Sequence, residues 1–111
     1  MNTREKIVSK LPEGEAVVVI GTFDPLLPVH VERLNSLRVP GKNLHVLVAD
    51  LEKPLLSMQA RLELVAALKP VDFVAVYLLP DGRGLLYDDR DLHAGWSADF
   101  QDLVRRRNQH V

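Results

Sequence analysis

The chemistry this chain could do is concentrated in one stretch, Gly21-Thr22-Phe23-Asp24-Pro25-Leu26-Leu27-Pro28-Val29-His30. A glycine turn that leads into a helix exposes backbone amides, and the helix dipole adds positive potential, so such a turn can hold an anion. His30 at the helix start could donate to a phosphate or stabilise charge on it. Thr22 and Asp24 could position a ligand there; equally, residues of these types cap the following helix and fix the loop. Lys42 and Lys53 fall in loops, where they could meet phosphate but are more simply solvated. Arg61 could reach a ligand, although a surface ion pair with Glu63 or a neighbouring acid is the simpler reading.

Other residues offer less. His45, His93 and His110 show no metal-ligand spacing with one another. Gly82-x-Gly84 lacks the third, helix-opening glycine of a dinucleotide fingerprint and reads as the turn Asp81–Gly84. Arg105-Arg106-Arg107 would complement a helix C-terminus. The 111 residues suit one domain, 1–111, and are 47% hydrophobic and 26% charged. With 14 basic and 15 acidic residues the net charge is −1, which speaks against a nucleic-acid or membrane partner. The absence of cysteine excludes disulfides and thiolate chemistry. Met1–Lys10 has no apolar signal core, and the longest apolar run, Phe73–Leu79, is far too short to cross a membrane. A soluble, cytoplasmic domain is expected.

The elements that must carry the turn follow from periodicity and punctuation. Thr3–Lys10 predicts a short helix, ended by Pro12-Glu13-Gly14. Ala16–Ile20 is a β-branched run that predicts a strand buried on both faces. From Val29 to about Leu37 the pattern is helical, with His30, Leu34 and Leu37 on one face and Pro28 in the first turn. Leu44–Ala49 predicts a second strand. Ser57 would cap a helix to about Leu68 that turns Met58, Leu62, Val65 and Leu68 inward. Phe73–Tyr77 reads as a third strand and Leu85–Tyr87 as a short fourth. A last helix is expected over Ala98–Gln109, burying Trp96, Phe100 and Val104. Strands and helices alternate, so the fold class is α/β: a Rossmann-like three-layer fold with a short, mainly parallel, truncated sheet.

Gly21-Thr22-Phe23-Asp24, then His30 and Leu34, resemble the first signature of the cytidylyltransferase-like nucleotidyltransferases, G-[TC]-F-D-x-x-H-x-G-H-x-x-x-L. Lys53-Pro54, Arg61, Ala66-Ala67-Leu68 and Val71-Asp72-Phe73-Val74 are similar to the corresponding part of bacterial heptose-phosphate adenylyltransferase domains and glycerol-phosphate cytidylyltransferases. The resemblance covers roughly Ala16 to Tyr77. It implies in-line attack on the α-phosphate of CTP or ATP, with Mg²⁺, and release of pyrophosphate. The motif's histidines stabilise charge on the phosphates in the transition state. By this resemblance His30 is the catalytic position, and Gly21, Thr22, Phe23 and Asp24 are the nucleotide-binding ones.

The sequence departs from the pattern at three points. Leu27 stands at the first histidine, Val29 at the glycine, and the late Ser/Thr-rich segment has no counterpart. Loss of one preorganised electrostatic partner typically costs about 10²–10³ in rate, so little catalysis is expected. The family's sheet order implies a ligand crevice between strands 1 and 4. This chain is expected to end near its third strand, with Ala16–Ile20 at an edge and no such crevice. Either Leu85–Tyr87 or a second subunit would then cover that edge, and a homodimer burying it is expected. Two readings follow: a minimal nucleotidyltransferase, or a relative that lost the chemistry and binds a nucleotide, a phosphorylated metabolite or another protein.

Overall fold

The computed structural model describes residues 2–78 and 85–109. The expected turn Asp81–Gly84 and His110 lie outside the described residues. The elements are α1 (Thr3–Lys6), β1 (Ala16–Gly21), α2 (Pro28–Leu37), β2 (Asn43–Val48), α3 (Met58–Ala66), β3 (Phe73–Val76), β4 (Leu85–Asp88) and α4 (Arg90–Gln109). The four strands form one sheet in the order β3-β2-β1-β4, and every pairing is parallel. The chain is an α/β domain of Rossmann-like organisation.

β1 is buried along its whole length, as its β-branched run requires. Val17 and Val19 point to one face and meet Leu44, Val46 and Val48, with Leu34 and Leu37 of α2 and Leu62 and Val65 of α3 packed over them. Both crossover helices therefore share that face, as two right-handed crossovers in one direction demand. Ala16, Val18 and Ile20 point to the other face, where Leu47, Ala49 and Ala75 join them and the segment around Val8 and Leu11 supplies the cover. Ser57 caps α3 as predicted, its Oγ accepting from the Ala60 amide.

Three expectations are corrected. β1 is not at an edge: of the two covers expected for it, the Leu85–Tyr87 strand is the one found, with Val17–Ile20 paired in register with Leu85–Asp88 of β4. The switch point between β1 and β4 thus exists within one chain, and the sheet edge that motivated a homodimer is already covered. The N-terminal helix stops at Lys6, since Ile7 bridges to Val74 and the Val8 amide donates to the Val74 carbonyl at 2.9 Å. Pairing with the open flank of β3 there wins over helix propensity. The last helix starts at Arg90 rather than Ala98, and Val104 is 41% exposed rather than buried. A 20-residue helix is about 30 Å long, whereas four strands side by side span only about 15 Å, so its distal half outruns the sheet.

Candidate functional site

α4 lies across the C-terminal ends of the strands, the place where parallel α/β sheets present their ligand sites. Beneath it sits the β1–α2 turn. Thr22, Phe23 and Asp24 are all buried, and Phe23 holds a left-handed φ of 48°. A bulky residue occupies that region at a cost of about 1–2 kcal/mol, which the packing of its ring offsets. That ring lies 5.4 Å from the ring of His30 and 4.6 Å from that of His93.

The turn's polar groups are committed to the protein itself. The Asp24 carboxylate accepts from the amides of Leu55 and Leu56 at 2.7 and 2.8 Å, so it fixes the loop between β2 and α3. The Asp24 carbonyl accepts from Ser97 Oγ of α4 at 2.8 Å. The Thr22 amide donates to Nδ1 of His93 at 3.1 Å. Arg61, expected in a surface ion pair, is instead fully buried: it donates to the carbonyls of Thr22 and Ala49 at 3.1 and 2.8 Å. Helix α3 starts directly after the loop and turns this position inward, so the guanidinium bolts the two strand-end loops together. Asp50 stands 3.8 Å away at the surface.

His30 is also wholly buried. Its Nδ1 accepts from the Leu27 amide at 2.9 Å, closing the first turn of α2. This is half of a capping box, because the leucine side chain has no acceptor to return the bond. His30 Nε2 has no hydrogen-bond partner among the described residues, and the His30 ring centre lies 4.4 Å from that of His93 and 5.1 Å from that of Trp96, both rings perpendicular to it. Burial lowers the His30 pKa. Burial, with repulsion from His30, lowers that of His93 to about 4, against a smaller opposing pull from Asp89. Both imidazoles use Nδ1 as an acceptor, so both are neutral Nε2–H tautomers.

Beside this cluster is a cleft of about 310 Å³, lined by Thr22, Asp24, Asp50 and Lys53 and, from α4, by Arg90 and Ser97 among others. Lys53 is exposed, while Arg90 is held by Asp88 at 2.6 Å and lies over the Tyr77 ring. Lys42 is outside the cleft, 3.8 Å from Glu15. No group of three His, Cys, Asp or Glu side chains suited to a metal ion occurs among the described residues. With the Asp24 carboxylate engaged, Asp50 is the one carboxylate among the cleft's described residues without an amide partner from another element. The described residues therefore do not by themselves build a Mg²⁺ site, and a triphosphate's own oxygens would supply the remaining ligands.

The structure thus gathers Gly21, Thr22, Phe23, Asp24 and His30 in one turn, and adds Asp89, Arg90, His93, Trp96 and Ser97 from α4. Sequence reasoning missed the latter set. The available signal was the spacing of Arg90, Ala94, Ser97 and Gln101, one helical face that is visible only when the helix begins at residue 90.

Among the described residues no helix is long and apolar enough to cross a membrane. No protein-family model matches the chain. It is 43% identical over 63 residues to the FAD synthase of Methanolacinia petrolearia, covering 51% of this chain and 43% of that protein. It is 43% identical over 63 residues to the FAD synthase of Halomicrobium mukohataei, covering 51% and 44%. The FAD synthase of Methanoregula boonei is 45% identical over 62 residues, covering 50% and 42%. The chain matches less than half the length of these curated relatives. At the coarse level of a nucleotidyltransferase-like domain, they agree with the resemblance carried by Gly21–Asp24 and His30.

Proposed function

We propose that this chain is a nucleotide-binding domain of the nucleotidyltransferase type that holds ATP at the β1–α2 turn and the adjoining cleft, with its transfer chemistry impaired. The FAD synthase relatives favour ATP over CTP as the nucleotide. The observation that carries the impairment is the engagement of His30. It is fully buried, with Nδ1 spent on the Leu27 amide, and Leu27 supplies no second imidazole. Binding needs only backbone amides and nearby cations; transfer needs charge stabilisation aimed at the developing transition state. Among the described residues lining the cleft, Lys53 is the cation without an ion-pair partner.

The test is calorimetric titration with ATP and CTP, with and without Mg²⁺, beside a pyrophosphate-release assay. ATP is expected to bind with a Kd on the order of 100 μM, and Lys53→Ala to weaken it by about 1 kcal/mol or less, as for an exposed charge. Pyrophosphate release should stay at background. Absence of ATP binding would sink the nucleotide reading, and ordinary turnover, about 1 s⁻¹ or faster, would sink the impairment.

A second reading, an interaction module that kept only the fold, is favoured by one feature. Leu55, Leu103 and Val104 are 54%, 48% and 41% exposed near the distal half of α4. A homodimer would use this surface rather than the edge of β1, and a monomer mass at all concentrations in sedimentation would exclude it.

A further inference from the structure

A glycine in a strand-to-helix turn leaves space above the backbone amides, and in this fold the space is already filled. A Cβ at Gly21 would lie 2.1 Å from Cε1 and 2.5 Å from Nδ1 of His93. The ring therefore rests where a side chain at residue 21 would be, and its Nδ1 lone pair takes the Thr22 N–H. A phosphate oxygen is an acceptor of the same kind, and it would use the same amide at this turn.

We propose that His93 is a built-in occupant of this anion cradle, and that a phosphate-bearing ligand gains the site by displacing the His93 ring from the Thr22 amide. The proposal rests on the nucleotide reading for the identity of the ligand, though not for the competition itself. A second observation points the same way. His30 Nε2 is wholly buried without a hydrogen-bond partner among the described residues, beside the rings of His93 and Trp96. A buried donor without an acceptor is a standing cost. With the His93 ring gone, the ligand could accept from Thr22 N–H and from His30 Nε2–H, a donor that the closed cluster leaves unused. Trp96 stacks on His93 at 5.3 Å, so the movement would change its surroundings too.

The test uses inorganic pyrophosphate and ATP on the whole chain, wild type and His93→Ala. If the cradle is free in about one molecule in ten, apparent affinity is reduced about tenfold, so His93→Ala should bind pyrophosphate about tenfold tighter. In the wild type, saturation with pyrophosphate should move the His93 Cε1–H resonance and the Thr22 amide resonance and shift Trp96 emission to the red. Trp96 is the only tryptophan, so that signal is unambiguous. The wild-type measurements decide even if His93→Ala does not fold. Equal or weaker binding by a folded His93→Ala overturns the proposal, as does wild-type binding that leaves His93 and Trp96 unmoved. ATP binding with an unmoved His93 overturns the competition and keeps the nucleotide reading. Pyrophosphate displacing His93 without any ATP binding does the reverse. No binding of either probe to either protein overturns both.

Discussion

The guanidinium of Arg33 forks onto the carboxylate of Asp89, with Nε 3.0 Å from one oxygen and Nη2 3.2 Å from the other. Arg33 is one-third exposed and Asp89 only 5% exposed, so the pair joins the middle of α2 to the residue that opens α4. The Asp89 amide donates to the Ile20 carbonyl at 2.8 Å, which locks the same residue to β1. The start of α4 is thereby held over the β1–α2 turn.

Arg33→Met strands the Asp89 carboxylate in a buried position, while Arg33→Met with Asp89→Leu removes both charges. The single variant should lose about 2–3 kcal/mol in urea unfolding, and the double variant should lose less. An equal or larger loss in the double variant would mean the pair is net stabilising and not merely compensated.

Gly21→Ala places a methyl group against the His93 ring and within 2.8 Å of Phe23 Cε2. The overpacking should cost about 1–3 kcal/mol. Adding His93→Ala should recover part of that loss, because the first clash is then absent. Thermal melts of the two single variants and the double variant measure the coupling.

Asp24→Ala removes the acceptor for two amides, Leu55 and Leu56. Each bond to a charged group contributes about 1.5–3 kcal/mol when the donors are buried, and less here because Leu55 is exposed. A total near 2 kcal/mol is expected. Hydrogen exchange at those two amides should accelerate well before global unfolding, and unchanged protection would count against a fixing role for Asp24.

The acid side of the stability profile carries the sign of the buried imidazoles. An unfolded histidine titrates near 6.5, and His93 in the fold near 4, so between those values the unfolded chain binds more protons. Stability from this group is full above about pH 6.5, falls as pH drops toward 4, and loses no more below that. The shift corresponds to about 3 kcal/mol. His30, also lowered by burial, adds in the same direction. His93→Phe should flatten the loss between pH 6.5 and 4, and an unchanged slope would place the effect elsewhere.

Alternation, β-branched runs and caps were enough to read β1, α2, β2, α3 and β3 in the chain, because each is a local pattern of one period. The turn Gly21–Asp24 and His30 stood out in the same way, since their spacing is short and contiguous. Which bonds those residues make was not legible. Asp24 meets Leu55 and Leu56, Arg61 meets Thr22, and Thr22 meets His93, across gaps of 31, 32, 39 and 71 residues. Nothing in local periodicity marks such partners. The place of β4 was legible only as one of two covers for the edge of β1, because Leu85–Asp88 is short and its pairing depends on where the rest of the sheet leaves an open row of amides. The local elements follow from side-chain type and backbone geometry a few residues apart. The contact at the turn follows from parallel strands bringing their C-terminal ends together, so that His93, 71 residues further along the chain, takes the Thr22 amide.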